Sequence, residues 1–134
     1  MPASEYELGD AELEVLKVLW DDGPAPVRAV LNALHARGRR VAYTTVQTTL
    51  TRLEQKGFVR SDRSGLAYVY RPSVSRERVS RSRLRVLLDQ LYDGAAGPLV
   101  LQLVRTQRLK PEEIEELTQL IERLDAKDAG RDDG

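Results

Sequence analysis

The 134-residue chain has no cysteine and only one histidine, one methionine, one tryptophan and one phenylalanine. The lack of cysteine removes disulfides, thiolate metal sites and cysteine nucleophiles, and it fits a reducing compartment. With a single histidine, a metal-sensing site is not expected either. That residue, His35, lies in a stretch of helical pattern, where a lone imidazole is ordinarily a surface or helix-end group rather than a general base. There is no glycine-rich phosphate loop, no H-E-x-x-H and no Ser/His/Asp pattern. These absences point away from an enzyme, a metal or a cofactor. The first 30 residues lack a basic segment followed by an apolar run, and no stretch approaches the ~20 apolar residues of a membrane span. A cytoplasmic protein without membrane insertion is expected.

Net charge is also missing, with 21 Lys plus Arg against 21 Asp plus Glu. The zero hides three unlike segments. Residues 1–27 carry one basic and seven acidic side chains, net −6. Residues 28–85 carry fourteen basic and three acidic ones, net +11, and residues 86–134 carry six and eleven, net −5. A central excess of that size is the electrostatic footprint of a polyanion site. The alternative is a basic segment neutralised within the molecule by its acidic flanks.

The hydrophobic pattern is mostly helical. Leu13, Leu16, Leu19 and Trp20 repeat at helical spacing behind Asp10 as N-cap, up to Gly23-Pro24. Trp20 is expected in the core. Pro26 suits the first position of a second helix with Val27, Val30, Leu31 and Leu34 inward and Gly38 after its end. A third helix starts at Tyr43 or Thr44, buries Val46, Leu50 and Leu53, and stops at Gly57. Two extended runs follow, 58–63 and 67–71, around Ser64-Gly65. Ser75 caps a long helix, 94–98 is a break, and Pro111-Glu112-Glu113 opens a last helix. The polar tail 127–134 is expected to be disordered. The predicted fold is mostly α with a small β-hairpin. A winged helix-turn-helix domain over 8–72 precedes a helical dimerisation domain over 73–126.

The third helix carries the functional signal. Threonine fills five of the eight positions 44–51, although β-branching makes it a poor helix former. A strand is the rival reading, but Val46, Leu50, Leu53 and Gly57 step by four, three and four, which is helical. Thr44, Thr48, Thr51 and Gln55 then lie on the outer face, flanked by Thr45 and Arg52, with Gln47 at its border. Such a face suits a major groove. Threonine offers a hydroxyl to phosphates or base edges and a methyl to thymine, glutamine pairs with adenine, and arginine pairs with guanine or phosphate. Arg39, Arg40 and Tyr43 before or at the helix start, Lys56 at its end, and Arg60, Arg63 and Arg71 on the hairpin complete the candidate contacts with double-stranded DNA. The rival is an ordinary solvated face, and a basic winged helix that binds an acidic protein is a further alternative.

The C-terminal stripes are Leu84, Leu87, Leu88 and Leu91; Leu99 and Leu103; and Ile114, Leu117, Leu120, Ile121 and Leu124. About 50 residues cannot bury all of these alone, so pairing with a second copy is expected. A homodimer with two reading heads implies a pseudo-palindromic operator.

The segments 8–20 (LGDAELEVLKVLW), 42–46 (AYTTV), 52–57 (RLEQKG), 67–72 (AYVYRP) and 111–117 (PEEIEEL) resemble the penicillinase-repressor (BlaI/MecI-type) family, in order and over nearly the whole chain. The resemblance implies a bacterial winged-helix repressor that dimerises through its C-terminal helices and binds a dyad operator. It also implies release through cleavage triggered by a membrane sensor protease. The family's scissile Asn-Phe is here matched by Gln102-Leu103, which departs from that protease preference. The cysteine cluster of copper-responsive relatives is absent. A regulator released by a small-molecule effector in its C-terminal half is the alternative trigger.

Overall fold

The computed structural model describes residues 8–132. Three helices come first: α1 (Asp10–Asp22), α2 (Val27–Ala36) and α3 (Tyr43–Gln55). A hairpin of β1 (Val59–Asp62) and β2 (Val69–Pro72) follows, then α4 (Arg76–Tyr92), α5 (Ala96–Thr106) and α6 (Pro111–Asp132). The chain divides into two compact units within α4, between Val86 and Leu87.

The first unit is built around the apolar stripes of α1, α2 and α3. Val15, Leu16, Val18 and Leu19 meet Val30, Leu31 and Leu34, and Val46, Leu50 and Leu53 close the core. Phe58, Val59 and Tyr70 carry it under the hairpin. The strands pair antiparallel, Arg60 opposite Arg71 and Ser61 opposite Tyr70. Tyr70 also exchanges backbone hydrogen bonds with Ala25, at 2.9 and 3.0 Å, which ties the hairpin to the α1–α2 loop. Burial pushes the Tyr70 phenol above its ordinary pKa. Trp20 packs against the core as expected, and its indole donates to the Val74 carbonyl at 3.0 Å.

The helix ends follow local chemistry. Gly38 and Gly57 take φ of 83° and 85°. These left-handed turns let Arg39 and Phe58 donate back to Leu34 and Leu53 at 2.9 Å. Asp10 is the first residue of α1 rather than its cap; Gly9 is the N-cap, and its amide donates to the Glu12 carboxylate at 3.2 Å. Pro26 likewise stands one residue before α2. Ser75 Oγ accepts from the Arg78 amide at 3.0 Å, the expected cap of α4.

The first unit runs past the expected boundary at 72, because α4 contributes to its core. Val74 and Val79 are both buried there, and Arg83 donates to the Leu8 carbonyl. Arg76 binds Asp21 and lies over the Trp20 ring at 5.5 Å. The Arg76 hydrogen bond is the main reason that the Asp21 carboxyl sits below the usual carboxylate range.

The second unit holds the rest of α4, α5 and α6. None of its described side chains is buried. The expected frayed tail is helical through Asp132. No proline interrupts 112–132, and Gly130 alone costs only about 1 kcal/mol in a helix. Residues 133–134 lie outside the described residues.

Leu50 is wholly buried under α3. Replacing it with alanine should cost roughly 2–5 kcal/mol of stability, read as a lower urea midpoint at unchanged slope. A loss below about 1 kcal/mol would mean that the α3 stripe is not the keystone of the core.

Candidate nucleic-acid interface

Burial of Val46, Leu50 and Leu53 fixes which face of α3 looks outward. Tyr43, Thr44, Thr45, Gln47, Thr48, Thr51, Arg52 and Gln55 are all exposed. The structure thus brings the predicted reading residues onto one surface. It also explains how the helix accommodates so many threonines. The Thr49 hydroxyl donates to the Thr45 carbonyl at 2.7 Å, and that of Thr51 to Gln47 at 3.0 Å. These i−4 bonds satisfy two hydroxyls locally. Thr49 is buried, whereas Thr51 is exposed.

The first turns of α2 and α3 contain no acid, in contrast to α1 with Asp10 and Glu12. Phosphates approaching these two helix starts therefore meet no repelling carboxylate. At the other end of α3, Glu54 accepts from the Ser61 hydroxyl at 2.7 Å and lies 3.8 Å from Arg63. One carboxylate thereby ties the hairpin to α3. At the hairpin tip Asp62 accepts from the amide and the hydroxyl of Ser64 at 2.9 and 2.7 Å. These bonds, the hydroxyl's first, hold its carboxyl below the ordinary range. Leu66 at the tip is fully exposed.

The basic residues separate into classes. Arg37 pairs with Asp21 and Asp22, and Arg39 with Glu14 at 2.9 Å. Arg76 pairs with Asp21. Neutralisation by the acidic N-terminal flank is thus real for part of the island. These pairs are exposed and therefore weak, so a phosphate competes with them easily. Arg28, Arg40, Arg52 and Arg60 have no carboxylate partner among the described residues. Arg60 stands directly across the hairpin from Arg71. Like charges so placed repel; Asp62, 4.0 Å from Arg71, relieves this only in part.

Lys56 is also held within the head. Its ammonium lies 2.7 Å from Glu12 Oε1 in a pair that is 27% and 13% exposed. The other Glu12 oxygen is buried and has no hydrogen-bond partner among the described residues. Lys56 thereby ties α1 to the end of α3. The sequence shows no sign of this, because the partners lie 44 residues apart. Sequence reasoning passed over Arg28, which lies over the Tyr43 ring at 4.8 Å; on the hairpin, Arg63 lies over the Tyr68 ring at 4.7 Å.

In the second unit, Leu87, Leu91, Leu103, Ile114, Leu120, Ile121 and Leu124 are exposed, Leu91 and Leu124 by 65% and 62%. Leu88, Leu99 and Leu117 are half-buried. Leu84 belongs to the first unit and is exposed. Gln102 and Leu103 lie inside α5, where Gln102 accepts from the Tyr92 hydroxyl. Cleavage between them requires local unwinding of that helix.

Three helices, a paired hairpin and an outward polar helix face bordered by arginines define a winged helix-turn-helix DNA-binding protein. Residues 8–123 match the family described as Penicillinase repressor. The chain is 31% identical over 116 residues to the penicillinase repressor of Bacillus licheniformis, covering 87% of this chain and 90% of that one. It is 34% identical over 120 residues to the transcriptional regulator BlaI of Mycobacterium tuberculosis, covering 89% and 86%. In fold it is similar to the transcriptional regulator Tm0710 of Thermotoga maritima, with a TM-score of 0.50 at 16% identity over 90% of this chain and 78% of that one. The chain belongs to the penicillinase repressor family, whose members are DNA-binding transcriptional repressors and not enzymes. No helix among the described residues is long and apolar enough to cross a membrane.

Lys56→Ala should lower stability by about 1.5–3 kcal/mol, the usual worth of a hydrogen bond to a charged group. Arg60→Ala should leave the urea midpoint within about 0.5 kcal/mol of wild type yet weaken binding to any duplex. Identical behaviour of the two variants in unfolding and in fluorescence anisotropy would refute this division of roles.

Proposed function

We propose that the chain is a sequence-specific repressor that binds a dyad operator as a homodimer. The observation that carries this reading is the exposed face of α3, uncharged at its centre and bordered by arginines without carboxylate partners. Laid in a major groove, Thr44, Thr45, Gln47 and Thr48 face base edges, and the Thr51 methyl suits a thymine methyl. Arg52 takes guanine or phosphate. Arg40 and Arg60, with Arg39 and Arg63 exchanging their carboxylates for phosphates, fix the register on the backbone.

Dimerisation is supported by the second unit, where three helices expose leucines and isoleucines along one stripe each and bury none. A second copy offers the same stripes, and burial of such area is worth about 25 cal/mol per Å². Two linked heads bind a dyad far more tightly than one, because the second contact is intramolecular. Cleavage at Gln102-Leu103 would remove Ile114–Leu124, and with them much of the dimer face, from the chain that carries the head. Repression would then lapse without any change in the reading surface.

Leu120→Glu should convert a dimer into a monomer in sedimentation-velocity runs. On a duplex selected from genomic fragments, it should replace a two-fold symmetric footprint by weak protection of single half-sites. Thr48→Ala should re-rank operators while preserving the dimer and its affinity for mixed-sequence DNA. A wild-type chain that sediments as a monomer, or protects no site, would overturn the reading.

A further inference from the structure

We infer that Arg28 and Tyr43 form one phosphate clamp, in which the Tyr43 ring positions the Arg28 guanidinium against a DNA backbone phosphate beside the start of α3. The inference rests on the DNA-binding reading above and adds to it a residue of α2.

Arg28 is the second residue of α2, and its side chain is exposed. Its guanidinium carbon lies 4.8 Å from the ring centroid of Tyr43, the first residue of α3, which is 39% exposed as a residue. Stacking of this kind uses the flat face of the guanidinium. Its N–H donors lie in the plane and stay directed to the surroundings, in the fork geometry that matches two phosphate oxygens. The ring also restrains a side chain that would otherwise lose much rotamer freedom on binding.

Three further observations point the clamp at an anion. Arg28 has no carboxylate partner among the described residues, whereas Arg37, Arg39 and Arg76 each hold one. The first turns of both helices it bridges contain no acid. In a helix-turn-helix head the helix before the recognition helix crosses the DNA backbone, which puts the first turn of α2 beside the phosphates that flank the groove. The wing repeats the construction with Arg63 over Tyr68, but there Glu54 already shares the charge. Arg28 is the stacked arginine whose charge is uncommitted.

The test uses the full chain and a fluorescein-labelled mixed-sequence duplex, with affinity measured by anisotropy as salt is raised. Phosphate contacts act on every sequence alike, so no operator is needed. Wild type should show a steep fall of log K with log salt. Arg28→Ala should bind about tenfold more weakly at low salt and flatten that slope by about one per head. Arg28→Lys should keep the slope but recover only part of the affinity. Tyr43→Leu should lose affinity with little change of slope, and Tyr43→Phe, which keeps the ring, should lose clearly less than Tyr43→Leu. The double variant Arg28→Ala/Tyr43→Leu should be no weaker than Arg28→Ala alone. Circular dichroism checks that each variant folds, as expected for exposed positions. If Arg28→Ala leaves affinity and slope unchanged while wild type is steep, the clamp is wrong and the DNA reading stands. If the single losses simply add, or Tyr43→Phe behaves as Tyr43→Leu, the ring does not position Arg28. A flat wild-type response overturns the DNA reading and the clamp with it.

Discussion

Val46, Leu50 and Leu53 anchor α3 to the other two helices, and this one stripe of burial determines what the rest of the head presents. A helix held on one side by three apolar residues has no freedom to rotate. Its opposite side must then face outward whatever it is made of, and here it is made of threonine, glutamine and arginine. The core thus sets the orientation of the reading face before any contact with DNA. Glu54 and Lys56 extend the same constraint to its neighbours, one holding the hairpin and the other α1. The hairpin and α3 are therefore one piece.

Charge is distributed by a related logic. The acidic N-terminal flank does not merely balance the basic island in sum. Glu12, Glu14, Asp21 and Asp22 each hold a cation from the turn after α2, the residue that caps α3 or the start of α4. Their partners lie on the side of the head that packs α1, so these acids neutralise the charge that serves structure. Among the described residues, the arginines left without a carboxylate include Arg28 and Arg40 at or before the starts of α2 and α3, Arg52 on the outer side of α3 and Arg60 on the hairpin, with Arg78, Arg81, Arg83 and Arg85 following along α4. A net charge of zero is compatible with a polyanion surface because neutralisation is local.

Most of the fold was legible in the sequence, because each helix carries its own apolar period and most ends carry a glycine, a proline or a cap. The outer face of α3 was legible for the same reason, since its threonines are out of phase with Val46, Leu50 and Leu53. What could not be read depends on contacts between distant segments. Lys56 is expected among the DNA contacts at the end of the third helix, and Glu12 holds it from 44 residues away. Arg28 carries no local signal at all, yet the fold brings the Tyr43 ring against it. The head's boundary was placed at 72 because Pro72 ends the hairpin pattern; Val74 and Val79 bury themselves beyond it, and no local period announces that.

The division of the cations into structural, exchangeable and uncommitted groups carries a consequence for how affinity is composed. A phosphate that takes Arg39 from Glu14 gains one charge-assisted contact and loses another, so the net gain is small and shrinks further in salt. A phosphate that meets Arg28, Arg40, Arg52 or Arg60 displaces no carboxylate and keeps nearly all of its gain. Of the fourteen basic side chains between 28 and 85, those already held by a carboxylate would therefore add less to a phosphate contact than their number suggests. On the proposed reading, a single head would bind with only part of its nominal charge, and the linkage of two heads would supply the rest through effective concentration.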